Sequence, residues 1–217
     1  MPEDSNNRMH GKTFENMIKA AHGIFTYAAA DRERSPGEYF DIAAEDDQDR
    51  GIPTAIKASG SATIGLSDAR RFWASFDHVP YRILIGIYCQ EGDTKKFTAI
   101  HELILRRKYR QALPGDITPG EITAFHEGIR AFGIGQHLAA RDWAQKIKGT
   151  LKARGGAVTL NPKIDSRTQR RLQCSIHLAK LRRAVSDEDQ RVHVSRFGKL
   201  PLPFPIVSGK RTFSAGR

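Results

Sequence analysis

The runs YFDI (residues 39–42) and IPTAIKAS (residues 52–59) decide the fold, and each places one charged residue among apolar neighbours. Short runs rich in β-branched and aromatic residues, bounded by turn-forming residues, are typical of strands. Asp41 and Lys57 are 16 residues apart, and the acidic segment 45–49 between them is typical of a turn. We therefore expect two paired strands that hold Asp41 and Lys57 together at one edge of a sheet.

Helical and strand patterns continue on both sides of these runs. Before them, apolar residues recur at spacings of three and four over residues 11–27, which predicts an amphipathic helix. The clearest later helix start is Thr118-Pro-Gly-Glu121, which has the spacing of a capping box. The sequence predicts further helices over residues 67–76, 118–132 and 136–154, and strands over residues 81–89, 97–105, 158–160 and 172–178. This order predicts an α/β fold in which one central mixed β-sheet is flanked by helices.

Positive charge is concentrated after residue 60. The chain has 217 residues, a size suited to one domain, and a formal net charge of +11. Residues 1–60 contain 11 acidic and 7 basic side chains, whereas the remaining residues contain 13 acidic and 28 basic ones. A basic body with one acidic corner favours nucleic acid as the partner, because phosphates are attracted over most of the surface.

Neither a membrane span nor a secretory signal is predicted. No stretch approaches about 18 apolar residues, and residues 1–12 are polar. Cys89 and Cys174 each lie in an apolar run, without the spacing of a metal site. We expect two reduced and largely buried thiols in a cytoplasmic protein.

Asp41, Lys57 and Glu15 are the candidate catalytic residues. Phosphodiester hydrolysis needs an activated water and neutralisation of the charge on the phosphate, and carboxylates that hold Mg²⁺ provide both. Glu15 lies at the border of the apolar stripe of the first predicted helix, from which it can point along the helix–sheet boundary. Each residue also has a structural interpretation: Asp41 and Lys57 as a salt bridge that sets strand register, and Glu15 as a residue favoured by the helix dipole.

The run GKTFE (residues 11–15), which opens a helix before one strand with Asp41 and another with Lys57, resembles the start of the PD-(D/E)XK nucleases. In many members a glutamate of the first helix and an aspartate of the next strand bind the metal, and a (D/E)-x-K triplet completes the site. The resemblance is close over residues 11–60 and extends in element order to residue 105. It implies a restriction-endonuclease-like core with Asp41 and Glu15 as Mg²⁺ ligands and Lys57 as the residue that orients or activates water.

One position departs from that pattern. Ala55 stands two residues before Lys57, where the superfamily has an acidic residue. Either the carboxylate has migrated, or the protein is a relative that binds DNA without cutting it. The candidate substitutes, in order of preference, are Glu15, the pair Asp46 and Asp47, and Glu102.

Residues 161–173 form a basic, amide-rich segment that is the candidate DNA-reading loop. Arginine pairs with guanine through two hydrogen bonds, and asparagine or glutamine pairs similarly with adenine. A solvated charged loop is the alternative interpretation. The candidate DNA contacts are Ser59, Asn161, Lys163, Asp165, Arg167, Gln169, Arg170, Arg171 and Gln173.

These features predict a single nuclease domain over residues 1–217, with residues 1–105 as catalytic core and residues 106–217 adding helices, DNA-reading loops and dimer contacts. We expect a type II restriction endonuclease that cuts double-stranded DNA, because the chain exceeds a minimal nuclease core by about a hundred residues and carries base-reading side chains. A palindromic site is matched by a two-fold symmetric protein, so a homodimer is expected. The alternatives are a repair or junction nuclease of the same fold and a DNA-binding protein without catalysis.

Overall fold

The computed structural model describes residues 13–21, 39–47 and 50–207. These residues contain ten strands and five α-helices. The strands are β1 Thr54–Ser59, β2 Thr63–Asp68, β3 Tyr81–Glu91, β4 Thr94–Leu105, β5 Thr159–Ile164, β6 Arg170–His177, β7 Gln190–His193, β8 Arg196–Phe197, β9 Leu200–Pro201 and β10 Phe204–Val207. The helices are α1 (residues 13–21), α2 Ala69–Ser75, α3 Pro119–Ala131, α4 His137–Lys152 and α5 Leu178–Ala184.

The central sheet is mixed and five-stranded. β1 lies parallel to β3, and β3 pairs with β4 in antiparallel fashion. On the other edge of β4, β10 and β7 pair with successive stretches of that strand. The predicted α/β fold with a central mixed sheet flanked by helices is therefore confirmed. Two of its strands, β7 and β10, come from the last fifth of the chain.

Side chains alternate across the central sheet and fill two separate apolar cores. Ile83 of β3 packs in the core that contains α2 and α3, whereas its neighbour Leu84 packs in the core that contains α1. On the α1 side, Phe14 stacks on Phe97 with ring centroids 4.3 Å apart. Gly86 of β3 allows this contact, because a Cβ at that position would collide with the Phe14 ring.

A second sheet, with strand order β2-β6-β5, is antiparallel and covers the α2–α3 core. Leu172, Cys174 and Ile176 of β6 are buried, and the residues between them lie on the outer face, as the alternation predicted. The prediction of a loop over residues 161–173 is wrong, because β5 and β6 pair across most of that range as a hairpin. Charged side chains fit these strands because one face of the sheet is open to solvent.

The predicted start of α3 is confirmed, whereas α2 begins later than predicted. Thr118 and Glu121 form the predicted capping box at the start of α3. At α2, however, the cap is Asp68, whose carboxylate accepts from the N–H groups of Arg70 and Arg71. Ser67, at the start of the helix predicted over residues 67–76, belongs to β2, a strand that was not predicted because glycine and serine dominate residues 59–67.

Three further predictions agree with the structure only in part. The predicted strand around Asp41 is an isolated bridge between Ile42 and Thr54, followed by the 3-10 helix Ala44–Asp46. The predicted helix over residues 11–27 is seen as α1, and its other residues lie outside the described ones. Both thiols are free and Cys174 is buried, but Cys89 is exposed because the end of β3 extends beyond the packed core.

Among the described residues, no helix is long and apolar enough to cross a membrane.

Candidate active site and nucleic-acid interface

Asp41 is held against the start of β1 by its backbone and by its carboxylate. The N–H of Asp41 donates to the carbonyl oxygen of Thr54 at 2.7 Å, and Ile42 forms the antiparallel bridge with Thr54. Two residues farther along β1, the N–H of Ile56 donates to the Asp41 carboxylate at 2.6 Å. In a paired strand, a backbone carbonyl oxygen would accept the hydrogen bond from Ile56. Here the Asp41 carboxylate accepts it, so the carboxylate is held in position although Asp41 is not part of a full strand.

Lys57 completes the pair that the sequence predicted. Its Nζ lies 3.6 Å from Oδ2 of Asp41, and the two side chains are 14% and 12% exposed. Nζ also lies 5.3 Å from the centroid of the Tyr39 ring, within the range of a cation–π contact. This geometry fits both a register-setting salt bridge and a catalytic carboxylate–lysine pair.

The surroundings of the pair are apolar on the side of the second sheet. Burial raises the pKa of Tyr39 well above its usual value, and Tyr81, Cys174 and Asp41 reinforce the shift. Burial likewise raises the pKa of the Cys174 thiol, an effect that the ammonium of Lys57 opposes. Both groups are therefore neutral at pH 7, and β6, which carries Cys174, neighbours the candidate site.

The position of Ala55 shows why no acidic residue stands there. Ala55 is fully buried in the core beneath the second sheet, where an unpaired carboxylate would be costly. Glu15, the leading substitute, lies on α1, which packs with Ile56 on the opposite face of β1 from Lys57. Glu15 forms an ion pair with Lys19 at 2.7 Å.

Two of the other candidate substitutes, Asp47 and Glu102, take part in a buried ionic network that sequence reasoning missed, whereas Asp46 lies in the 3-10 helix Ala44–Asp46. Arg82 of β3 is fully buried, and its guanidinium lies 3.0 Å from Asp47 and 3.5 Å from Glu102. Glu102 also lies 3.0 Å from Nε2 of His193 and 3.6 Å from Nε of Arg50. Asp47 and Glu102 thus neutralise a buried cation. The signal available in the sequence was an arginine inside the apolar run over residues 81–89.

Asp41 is compatible with Mg²⁺ as a single carboxylate ligand to an ion that also binds waters and substrate phosphates. Among residues 13–21, 39–47 and 50–207, no three His, Cys, Asp or Glu side chains cluster in a manner that could hold a metal ion. Mg²⁺, however, keeps several waters and is often bound through one or two carboxylates together with substrate phosphates. Asp41 fits as such a carboxylate, because it is a hard oxygen donor that is already fixed in position.

Ser59, at the end of β1, organises the turn into β2. Its hydroxyl donates to the carbonyl oxygens of Ser61 and Thr63 and accepts from the N–H of Ser61 at 3.2 Å. Ser59 is also largely buried. The structure therefore gives this predicted DNA contact a local structural role.

The outer face of the β5–β6 hairpin brings together four of the predicted DNA contacts. Asn161 pairs with Gln173, and Lys163 pairs with Arg171, across neighbouring strands. Lys163 and Arg171 are exposed, and the two amides are half-buried. The Asn161 amide donates to the hydroxyl of Ser175 at 2.8 Å. This face displays two cations and two amides in one plane, which suits contact with phosphates and base edges.

The remaining four predicted contacts lie in the turn between β5 and β6 and at the first residue of β6, and they have different roles. The Asp165 carboxylate accepts from the N–H groups of Gln169 and Arg167 at 2.7 and 3.0 Å, and these bonds hold its pKa below the usual value. Arg170 points inward and donates to the carbonyl oxygens of Asp165 and Gln169. Arg167 is exposed. Asp165 and Arg170 therefore shape the turn, and Arg167 is available to a ligand.

None of the protein-family models, curated proteins or solved structures compared with this chain matches it significantly. Function is therefore inferred from the residues and their geometry.

Proposed function

We propose that this chain is a Mg²⁺-dependent endonuclease that cuts double-stranded DNA in the manner of a type II restriction enzyme. The observation that carries the proposal is the Asp41–Lys57 pair, in which the Ile56 N–H fixes the carboxylate at 2.6 Å and the ammonium lies 3.6 Å away. A carboxylate fixed beside a lysine is one part of the arrangement for phosphodiester hydrolysis, which needs two or three carboxylates and a lysine, so a second carboxylate must join Asp41. The resemblance of residues 11–60 to the PD-(D/E)XK nucleases, with their restriction-endonuclease-like core, points the same way.

In this proposal each residue has a separate task. Asp41 and Glu15 would hold Mg²⁺, which when bound neutralises phosphate charge and acidifies a water molecule. Lys57 would donate a hydrogen bond to the attacking water or to the phosphate oxygen on which negative charge develops. The Ile56 N–H would keep the Asp41 carboxylate oriented, so that no reorganisation is needed when DNA binds.

The outer face of the β5–β6 hairpin would bind the substrate. Lys163 and Arg171 would contact phosphates or guanine edges, and Asn161 and Gln173 would contact adenine edges. Cys174 of the same strand faces the opposite side of the second sheet, toward the core and Lys57. The binding surface and the candidate catalytic pair would thus lie on opposite sides of that sheet.

Plasmid cleavage tests the proposal directly. We expect supercoiled plasmid to become discrete linear fragments in Mg²⁺ and to remain intact in EDTA. A four-way junction and a matched linear duplex, incubated in parallel, test for a repair or junction nuclease. Cleavage of the junction alone would replace the restriction assignment by that alternative, and an intact plasmid with every divalent metal tried would contradict the nuclease proposal.

The second candidate is a DNA-binding protein without catalysis, and the burial of Ala55 favours it. A restriction-like site usually has a carboxylate at that position, and here the side chain belongs to the core. Such a protein would retard DNA in a gel equally well with Mg²⁺ and with EDTA, and would leave it uncut.

A further inference from the structure

The connection between α3 and α4 presents an apolar tip. Ile134 is 82% exposed, and Leu138, in the first turn of α4, is 64% exposed. Gly135 has a φ of +86°, a left-handed conformation that glycine adopts without steric cost. The chain therefore reverses between the two helices within residues 132–136 and leaves Ile134 at the outside of the bend.

Two arginines attach this tip to the turn of the β5–β6 hairpin. Arg170 donates through Nη1 to the carbonyl oxygens of Asp165 and Gln169, at 2.6 and 2.9 Å, and through Nη2 to that of Gly133 at 3.3 Å. Arg141 of α4 donates through Nε and Nη2 to the carbonyl oxygen of Ile164, at 3.0 and 2.8 Å. The tip and the hairpin turn are thus one braced unit, defined here as residues 132–138 and 164–170.

Exposed cations lie on the elements that adjoin the apolar tip. Arg130 is at the end of α3, and Arg167 is in the hairpin turn to which the tip is braced, whereas Lys163 and Arg171 are exposed on the outer face of the hairpin strands. The nearby carboxylate of Asp165 accepts hydrogen bonds from its own turn. An apolar tip with exposed arginines beside it is poorly suited to pack against the same tip of a second copy, because the like charges of the two tips would repel.

We propose that the braced unit inserts Ile134 as an apolar wedge into a groove of duplex DNA, while Arg130 and Arg167 bind neighbouring phosphates. This inference rests on the proposed function, since it assigns duplex DNA as the ligand. Apolar side chains of this kind unstack base steps and kink the duplex by about 20–90°. The bracing by Arg170 and Arg141 matters because a wedge must resist the force of the stacked bases.

Fluorescence anisotropy and end-to-end energy transfer on a 30-base-pair duplex, in EDTA to prevent cutting, test the wedge. The variant is Ile134→Ser, and the matched control is Val207→Ser, because Val207 is 76% exposed on β10. We expect Ile134→Ser to weaken binding roughly tenfold, since it removes a buried apolar contact, and to abolish the bend seen as energy transfer. The control should bind and bend DNA like the unaltered protein.

Salt dependence separates the wedge from the phosphate contacts. Ile134→Ser should leave the slope of log affinity against log salt unchanged, whereas Arg167→Ala should reduce that slope by about 1. Both changes are at exposed positions, and an unchanged melting temperature confirms that the variants fold.

One set of results would contradict the wedge alone, and another would contradict the nuclease proposal as well. If Ile134→Ser binds and bends duplex DNA like the control, the wedge is wrong while the nuclease proposal stands. Loss of self-association in Ile134→Ser, with DNA binding intact, would assign the tip to a protein interface and also overturn the wedge. Unaltered protein that binds no duplex would overturn both.

Discussion

Arg170 and Arg171 are adjacent in sequence and point to opposite faces of β6. Arg170 turns inward to three backbone carbonyls, whereas Arg171 is exposed on the outer face opposite Lys163. Strand geometry makes this alternation unavoidable, because successive side chains leave opposite sides of a strand. Two residues with the same chemistry therefore have different roles.

This difference predicts opposite phenotypes for the two alanine variants. Arg170→Ala should lower the free energy of unfolding by about 1–3 kcal/mol, because it leaves backbone acceptors of the turn without donors. Arg171→Ala should leave stability unchanged and weaken DNA binding by about 1–3 kcal/mol where it touches a base. Denaturant melts and binding titrations on both proteins check this. An Arg171→Ala protein with full affinity for every duplex would remove the outer face from the interface.

The catalytic proposal predicts loss of cleavage in Asp41→Asn and Lys57→Ala. Asparagine keeps an oxygen that can accept from Ile56 but removes the charge that holds a metal, so cleavage should fall by about two orders of magnitude or more while DNA affinity persists. Asp93→Asn, in the exposed β3–β4 turn, is the matched control.

The salt-bridge interpretation of the same pair makes a different prediction. Asp41→Asn and Lys57→Ala would then each reduce stability, and the folded fraction would still cut. Wild-type cleavage by folded Asp41→Asn would place the active site elsewhere.

The role of Glu15 is tested by comparing a variant of Glu15 with a variant of Lys19, its ion-pair partner. Glu15→Gln should reduce Mg²⁺-dependent cleavage and be partly restored by Mn²⁺, if Glu15 supplies the second carboxylate. Lys19→Ala breaks the same ion pair without removing the carboxylate, and an ion pair four residues apart in a helix stabilises an isolated helix by only about 0.2–0.5 kcal/mol. Equal cleavage by the two variants would show that Glu15 serves α1 alone.

The buried network predicts a strong dependence of stability on Arg82. Arg82→Met should lower the free energy of unfolding by about 3–5 kcal/mol, because Asp47 and Glu102 would remain buried after losing the guanidinium that both of them contact. Arg50→Met, which touches Glu102 from a more exposed position, should cost only about 0–1 kcal/mol. Urea denaturation of both variants measures the two values, and similar losses would mean that Arg82 is not the centre of the network.

The restriction proposal predicts a homodimer in solution. Sedimentation equilibrium at micromolar concentration should give twice the chain mass of 24.2 kDa, because a palindromic site is met by two symmetric copies. A monomer, both free and on a cognate duplex, would favour a nicking or repair role instead.

Several elements were predictable because their signals are local. The capping box of Thr118 and Glu121 and the apolar run of β3 depend on residues within one helix turn or one strand. The proximity of Asp41 and Lys57 also followed from sequence, because only a short turn separates their segments. The strand β2 had no such signal, since its glycine and serine residues resemble a loop.

By itself, the sequence determined the order of α1, β1, α2, β3, β4, α3, α4, β5 and β6, the basic character of the chain, and the pairing of a carboxylate with a lysine of β1. Tertiary structure alone decided the partners of Arg82, because Asp47 and Glu102 are 35 and 20 residues away and reach it only when the strands assemble. It also decided that Arg170 braces the turn while Arg171 faces solvent. Which face of a strand is buried depends on the surface it packs against, and that surface is formed by distant parts of the chain.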